Sequence, residues 1–206
     1  MKLFNFFKKN KKDIDTEKEE KPNPKIISRE QIAKGNNFHK FLLEPTNENF
    51  LIVQEEVFNH PNYDPYSDDL NKMEKLLKEK KYDQVVKNIN TNILLSPKAH
   101  FYLAFAFKKL GDENAENAET YIFQTIVESI KKTGDGTKEN PYRVTRISDE
   151  RDLIQYLKDD FSRQTLIEEE NNVYDLISCD SGKQIYFDVT RPYARLEQLM
   201  SLKTGS

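Results

Sequence analysis

The apolar residues of this chain change their period once, and that change constrains the fold more than any other feature. Up to Lys132 they recur at helical spacing, and from Tyr142 onward they alternate as in strands. Between the two stretches lies Gly134-Asp135-Gly136-Thr137-Lys138-Glu139-Asn140-Pro141, the densest turn signal in the sequence. Helices gathered first and strands gathered afterwards predict an α+β protein. The expected organisation is a disordered charged leader over 1–30, a helical region over 31–133, a joint over 134–141 and a strand-rich region with one or two short helices over 142–202.

In the helical region, Phe38, Phe41 and Leu42, then Phe50, Val53, Val57 and Phe58, mark two helices that stop before the proline-rich run His60 to Tyr66. Ser67 is the expected cap of a helix carrying Leu70, Met73, Leu76 and Leu77. A further apolar stripe, Val85, Val86, Ile89, Ile93 and Leu94, predicts a second helix. Ser96-Pro97 opens a third, which bears Ala99, Tyr102, Leu103 and Ala106 and is flanked by Phe101, Phe105 and Phe107; Gly111 ends it. The fourth runs from about Ala115 to Lys132, with Gly134 expected at its left-handed C-terminal position.

Beyond the joint, Tyr142 to Thr145 reads as a strand, and Ser148-Asp149-Glu150 opens a helix burying Leu153, Ile154 and Leu157. Gln164–Glu169, Val173–Cys179 and Gln184–Thr190, joined by Asn171-Asn172 and Asp180-Ser181-Gly182-Lys183, read as an antiparallel meander. Ala194 to Leu202 is a last helix. The fold expected is therefore antiparallel helical hairpins followed by a small antiparallel sheet.

Pro97-Lys98-Ala99, Leu103-Ala104 and Lys109-Leu110-Gly111-Asp112 resemble the first helix and turn of a tetratricopeptide repeat. Leu76 to Pro97 resembles a degenerate earlier copy, with Lys80 where the turn glycine belongs. The order of pieces over about 68–190 is similar to an uncharacterised bacterial family, a domain of unknown function. Those pieces are the tetratricopeptide-like helices, Gly134-Asp135-Gly136, Pro141-Tyr142-Arg143-Val144 and a closing Tyr186-Phe187-Asp188-Val189 strand. The resemblance implies the α+β order and brings no activity with it.

Charge and chemistry narrow the function. Net charge is -3, which argues against a nucleic-acid partner. The leader's lysines 8, 9, 11 and 12 follow Leu3, Phe4, Phe6 and Phe7, an order that offers peripheral membrane contact but not a signal peptide. No apolar run reaches the ~18 residues of a membrane span. Cys179 is the single cysteine, which excludes an intramolecular disulfide and fits a cytoplasmic protein. His39, His60 and His100 lie far apart, and no phosphate loop, dinucleotide fingerprint or nucleophile elbow occurs. No cofactor, metal or catalytic residue is assigned.

Two functions stand open. The first is a non-enzymatic protein-interaction or adaptor module, of immunity type in one version, binding a protein partner through Phe101, Tyr102 and Phe105. The second is a small hydrolase or ligand-binding enzyme with its site between the halves, using the polar residues Asp135, Arg143 and Asp188. Asp188, between Phe187 and Val189, has Arg143, Arg146 and Arg191 as candidate ion-pair partners, and Cys179 and Glu168-Glu169-Glu170 read as core and solvated turn.

Overall fold

A computed structural model of the chain describes residues 37–204. The expected leader, with its candidate membrane anchor, lies outside the described residues. The helices are α1 (Asn37–Leu43), α2 (Asn47–Phe58), α3 (Asp69–Lys78), α4 (Tyr82–Val85), α5 (Pro97–Leu110) and α6 (Glu113–Lys132), with a 3-10 turn at Thr91–Ile93. Strand β1 (Tyr142–Arg143) and helix α7 (Ile147–Tyr156) lead into β2 (Phe161–Glu169), β3 (Asn172–Cys179) and β4 (Gln184–Asp188), and α8 (Thr190–Thr204) closes the chain. The fold is α+β, helices before strands. No helix of the described residues is long and apolar enough to cross a membrane.

The sheet order is β1-β4-β3-β2. The meander β2-β3-β4 is antiparallel, as its alternation and tight turns require, but β1 joins parallel to β4, with Tyr142 opposite Phe187 and Arg143 opposite Asp188. The sheet is therefore mixed, a correction to the all-antiparallel expectation. Its cause is the connection: the chain leaves β1 through α7 and returns to β1's side only after three antiparallel passes. One face of the sheet packs on the helices through Ile177, Ile185 and Phe187.

Two apolar cores form. The larger joins α1, α2, α6 and α7 to the sheet, so that Ile126 and Ile130 before the joint share a cluster with Val144, Leu153 and Phe187 after it. The smaller lies among α3, α4 and α5 and contains Met73, Leu77, Val85, Leu103 and Ala106. Buried His100 on α5 bridges this core to α6. Its Nδ1 is 2.7 Å from Glu119 Oε2, and its Nε2 is 2.8 Å from the Leu94 carbonyl.

The stripe from Val85 to Leu94 does not make one helix. Asn90 Oδ1 accepts from the Asn92 amide at 2.9 Å, and Asn92 Oδ1 accepts from the Asp64 amide at 2.9 Å. Asparagine side chains that take backbone partners compete with the helical ladder, and the segment becomes a short helix and a 3-10 turn. At the end of α3, Lys80 adopts φ 59, and the amides of Lys80 and Lys81 donate to Leu77 and Leu76. Gly111 ends α5 in the same way, at φ 78, with Asp112 donating to Phe107. A lysine thus holds the left-handed closing position that glycine usually takes.

Gly134 is not left-handed. Helix α6 ends at Thr133 in the right-handed region, and the positive φ belongs to Gly136 at 82. Gly134 is needed for close approach instead: a Cβ there would lie 2.3 Å from the Pro141 carbonyl oxygen and 2.4 Å from that of Asn140. Backbone cannot retreat from such a contact without breaking the paired amides of Asp135 and Gly136, both of which donate to the Asn140 carbonyl. Gly134→Ala is expected to lower the unfolding free energy by about 1–3 kcal/mol, the usual range for overpacking. The check is the urea midpoint at unchanged slope, and a midpoint equal to wild type would refute the close-approach account.

Candidate functional site

The polar residues expected to form a site occupy separate structural roles. Asp135 is exposed, and its Oδ1 accepts from the Thr137 amide at 2.9 Å and the Thr137 hydroxyl at 2.7 Å, an internal turn bond that holds its carboxyl below the usual range. Asp188 Oδ1 accepts from the Thr190 amide at 3.0 Å and so caps the start of α8. Among the described residues it pairs with none of the three arginines. Arg143 and Arg191 both reach Glu55, each at 3.3 Å. Arg146 turns away to the α2–α3 connection.

Of the aromatic trio on α5, Tyr102 is 4% exposed inside the smaller core, and Phe101 and Phe105 pack against that core. Phe105 meets Tyr82 edge to face, and Phe101 lies against Phe123. Cys179 is buried in the main core, and burial pushes its thiol up. Glu168–Glu170 is exposed, with Glu169 paired to Lys138.

A different group of residues converges where the helical and strand-rich parts meet. Tyr66 from the α2–α3 connection, Ile147 at the start of α7, Gln164 and Leu166 on β2, Asp175 on β3, and Val189 and Tyr193 at the start of α8 line a cavity of about 340 Å³. That volume lies at the low end of the small-molecule range. β3 carries Asp175 in its inward phase, with Val173, Ile177 and Cys179, and the register sets it between Leu166 of β2 and Phe187 of β4. Asp175 is 2% exposed and Glu150, on α7 next to it, 1%. Tyr66 stands at the rim, 50% exposed. Tyr193 also reaches outward, its hydroxyl donating to Glu168 Oε1 at 3.2 Å.

Two carboxyl groups this close and this dry cannot both ionise cheaply. Burial first, then the charge of Asp175 and a hydrogen bond with it, hold the Glu150 carboxyl well above its ordinary range. Glu150 Oε1 and Asp175 Oδ1 have no hydrogen-bond donor among the described residues. One proton between the two groups is the donor that the arrangement itself can supply. Burial, with Asp175 and Glu150 behind it, pushes the Tyr66 phenol up.

The same helix carries a second set of acids, with Asp149 wholly buried and Asp152 half-buried. Asp149 Oδ2 accepts from the Arg146 amide at 3.1 Å and the Thr145 hydroxyl at 3.3 Å. Burial first, then the charge of Asp152, pushes Asp149 up to about 8, and burial pushes Asp152 up to about 6. Arg146, 4% exposed, lies beside them. Its Nη1 donates to Ser67 Oγ at 2.8 Å and the Asn92 carbonyl at 3.1 Å, and its Nη2 donates to the Ser67 carbonyl at 2.8 Å. The guanidinium thereby ties the Tyr66-bearing connection to α7.

Chemically, the cavity lining offers one buried carboxyl group, Asp175, with Glu150 behind it, two tyrosine rings and no basic side chain. Among the described residues, no group of three or more His, Cys, Asp or Glu side chains could hold a metal ion. One sequence signal does mark the site: Asp175 stands in the apolar phase of an alternating strand. Glu150 carries a weaker signal, four residues before Ile154 on the buried face of α7. Neither residue reveals the other's proximity.

No curated protein and no solved structure matches the chain. A family model described as a domain of unknown function (DUF4919) matches residues 52–198, which takes in α7, α8's first turns and every cavity-lining residue. That match covers more than half of the chain, and the chain belongs to this family.

Proposed function

We propose that this chain is a small-ligand-binding protein whose site is the cavity between α7, α8 and the sheet, floored by Asp175 with Glu150 beside it. The observation that carries the reading is Asp175: an acidic side chain almost wholly withdrawn from solvent, lining a cavity, with an oxygen that no described residue serves. Burying a carboxyl group in that state costs stability, and a ligand with hydrogen-bond donors recovers it. The site lies between the helical and strand-rich parts, but its residues are Tyr66, Glu150, Asp175 and Tyr193 in place of Asp135, Arg143 and Asp188.

The test is a ligand-detected NMR screen of small polar compounds against wild type and Leu166→Trp. Leu166 is 42% exposed on the cavity wall, so an indole there fills space without disturbing the core. Compounds that bind wild type are expected to lose at least tenfold in affinity in the variant. If no compound distinguishes the two proteins, the reading fails.

The interaction-module reading has a different observation behind it. The outward face of the sheet carries Tyr174, Leu176 and Tyr186, each only half-buried, and β2 forms a sheet edge. In that reading the tetratricopeptide-like α5–α6 hairpin is scaffold and the sheet is the contact. Crosslinking in the native cell with wild type and Leu176→Lys tests it: a protein adduct lost in the folded variant supports it, and an adduct unaffected by the substitution counts against it.

A further inference from the structure

Resting on the small-ligand reading, we infer that the cavity takes an organic cation, a primary ammonium or guanidinium group, which replaces the proton held between Glu150 and Asp175. The geometry argues for the charge. Both carboxyl groups are buried, each keeps one oxygen without a donor among the described residues, and the lining contains no lysine, arginine or histidine. A neutral donor can serve one oxygen, but only a cation also balances the second negative charge in so dry a place. An anionic ligand would add to the repulsion. Tyr66 and Tyr193 provide ring faces at the mouth, against which a cation or its alkyl stem can rest.

The exchange balances in charge and protons. The free site holds one carboxylic acid and one carboxylate, and a cation R–NH3+ enters as the acid releases H+ to solvent. The bound site then holds two carboxylates and one ammonium, with no covalent bond made or broken. The groups that face the pair are few. Asp149 on α7 opposes the second ionisation, and Arg151 on the same helix favours it. Tyr66 and Tyr193 are neutral phenols, and Phe187 brings no charge from β4. Ligand affinity is therefore expected to rise about tenfold per pH unit while one proton is released, until the amine itself deprotonates.

The experiment uses the full chain with four probes: agmatine, n-butylamine hydrochloride, n-butanol and sodium butyrate. Binding is read by ligand-detected NMR, and proton release by calorimetry in two buffers of different ionisation enthalpy. The two cations are expected to bind and release close to one proton, and butanol and butyrate to bind at least tenfold more weakly. Glu150→Gln, an isostere, is expected to retain the fold by circular dichroism and lose the proton release. Tyr66→Ser at the exposed rim, which keeps both carboxyl groups, is expected to weaken the cations and leave the released proton unchanged.

Cations that bind without releasing a proton, or butanol or butyrate binding as well as the amines, would overturn the inference. If butanol or butyrate alone binds, and does so only where Leu166 is intact, the ligand-binding reading survives and the cation assignment falls. If none of the four binds while other screened compounds distinguish wild type from Leu166→Trp, the cation assignment again falls alone. If no compound distinguishes them, both fall.

Discussion

Replacing Arg146 with methionine is expected to lower the unfolding free energy by about 3–5 kcal/mol, the range for removing one member of a buried charged network. Methionine approximates the length of the arginine stem, so the loss is not mainly one of packing. What disappears is a fork that donates to Ser67 Oγ and to the carbonyls of Ser67 and Asn92 from a position 4% exposed. Those acceptors belong to two connections, 59–68 and 86–96, that have little regular structure of their own. Each buried carbonyl left without a donor costs about 1–3 kcal/mol. The positive charge that favours the ionised forms of Asp149 and Asp152 also goes. Lysine at this position keeps the charge but not the fork, and is expected to lie between wild type and methionine. Urea unfolding followed by circular dichroism reads the effect as a lowered midpoint, and a loss under 1 kcal/mol for methionine would refute the network. The same substitution loosens the segment that presents Tyr66, so amine affinity is expected to fall even though no cavity-lining residue has changed.

Arg146 also shows what the sequence discloses and where disclosure stops. The order of helices and strands was readable because apolar phase is a local property: Val173, Ile177 and Cys179 alternate, as do Ile185, Phe187 and Val189, and the structure buries or half-buries each of them. The parallel pairing of β1 was not, since a two-residue strand carries no register and its partner is decided by where α7 sends the chain. The break after Val85 was written in Asn88, Asn90 and Asn92, whose side chains take backbone partners, yet the apolar stripe across them suggested a helix. Asp175 could be noticed as an acid in an apolar phase. Its neighbours could not, because Tyr66, Glu150 and Tyr193 come from three other segments, and only tertiary packing places them together. Asp135 lies in the joint's turn and Asp188 at the end of an alternating strand, and a carboxylate at such a chain reversal commonly satisfies a backbone amide, as both of these do.

The acids of α7 also set an unusual dependence of stability on pH, and it is expected to run downward from pH 5 to pH 8. Asp149 has a folded value of about 8 and Asp152 of about 6, against a reference of 3.8, and Glu150 lies well above 4.5. All three are raised, and burial is the largest cause in each. The folded protein therefore holds protons that the unfolded chain has released. In that condition stability falls as pH rises, by about 1.4 kcal/mol per unit for each such group. The contribution is whole below the unfolded value near 4 and is exhausted once pH passes the folded one. Asp149 alone accounts for about 4 kcal/mol between pH 5 and pH 8, Asp152 adds its share mainly below 6, and Glu150 adds to both. Carboxyl groups with lowered values, such as Asp69, Glu74 and Glu128, work in the opposite sense, but their stability is lost only as pH falls through about 4 and below. Urea midpoints at pH 5, 6, 7 and 8 should thus decline steadily. Asp149→Asn separates this account from a general charge effect. The amide oxygen can still accept from the Arg146 amide and the Thr145 hydroxyl, but the group no longer titrates. The variant is expected to match or fall slightly below wild type at pH 5 and to exceed it by several kcal/mol at pH 8, so the two profiles cross. A wild-type profile flat from pH 5 to 8, or a variant whose slope equals that of wild type, would show that Asp149 does not carry a proton in the folded protein. A crossing would assign the proton to Asp149 alone; Glu150, which lies beside Asp175, is read separately by the loss of proton release in Glu150→Gln.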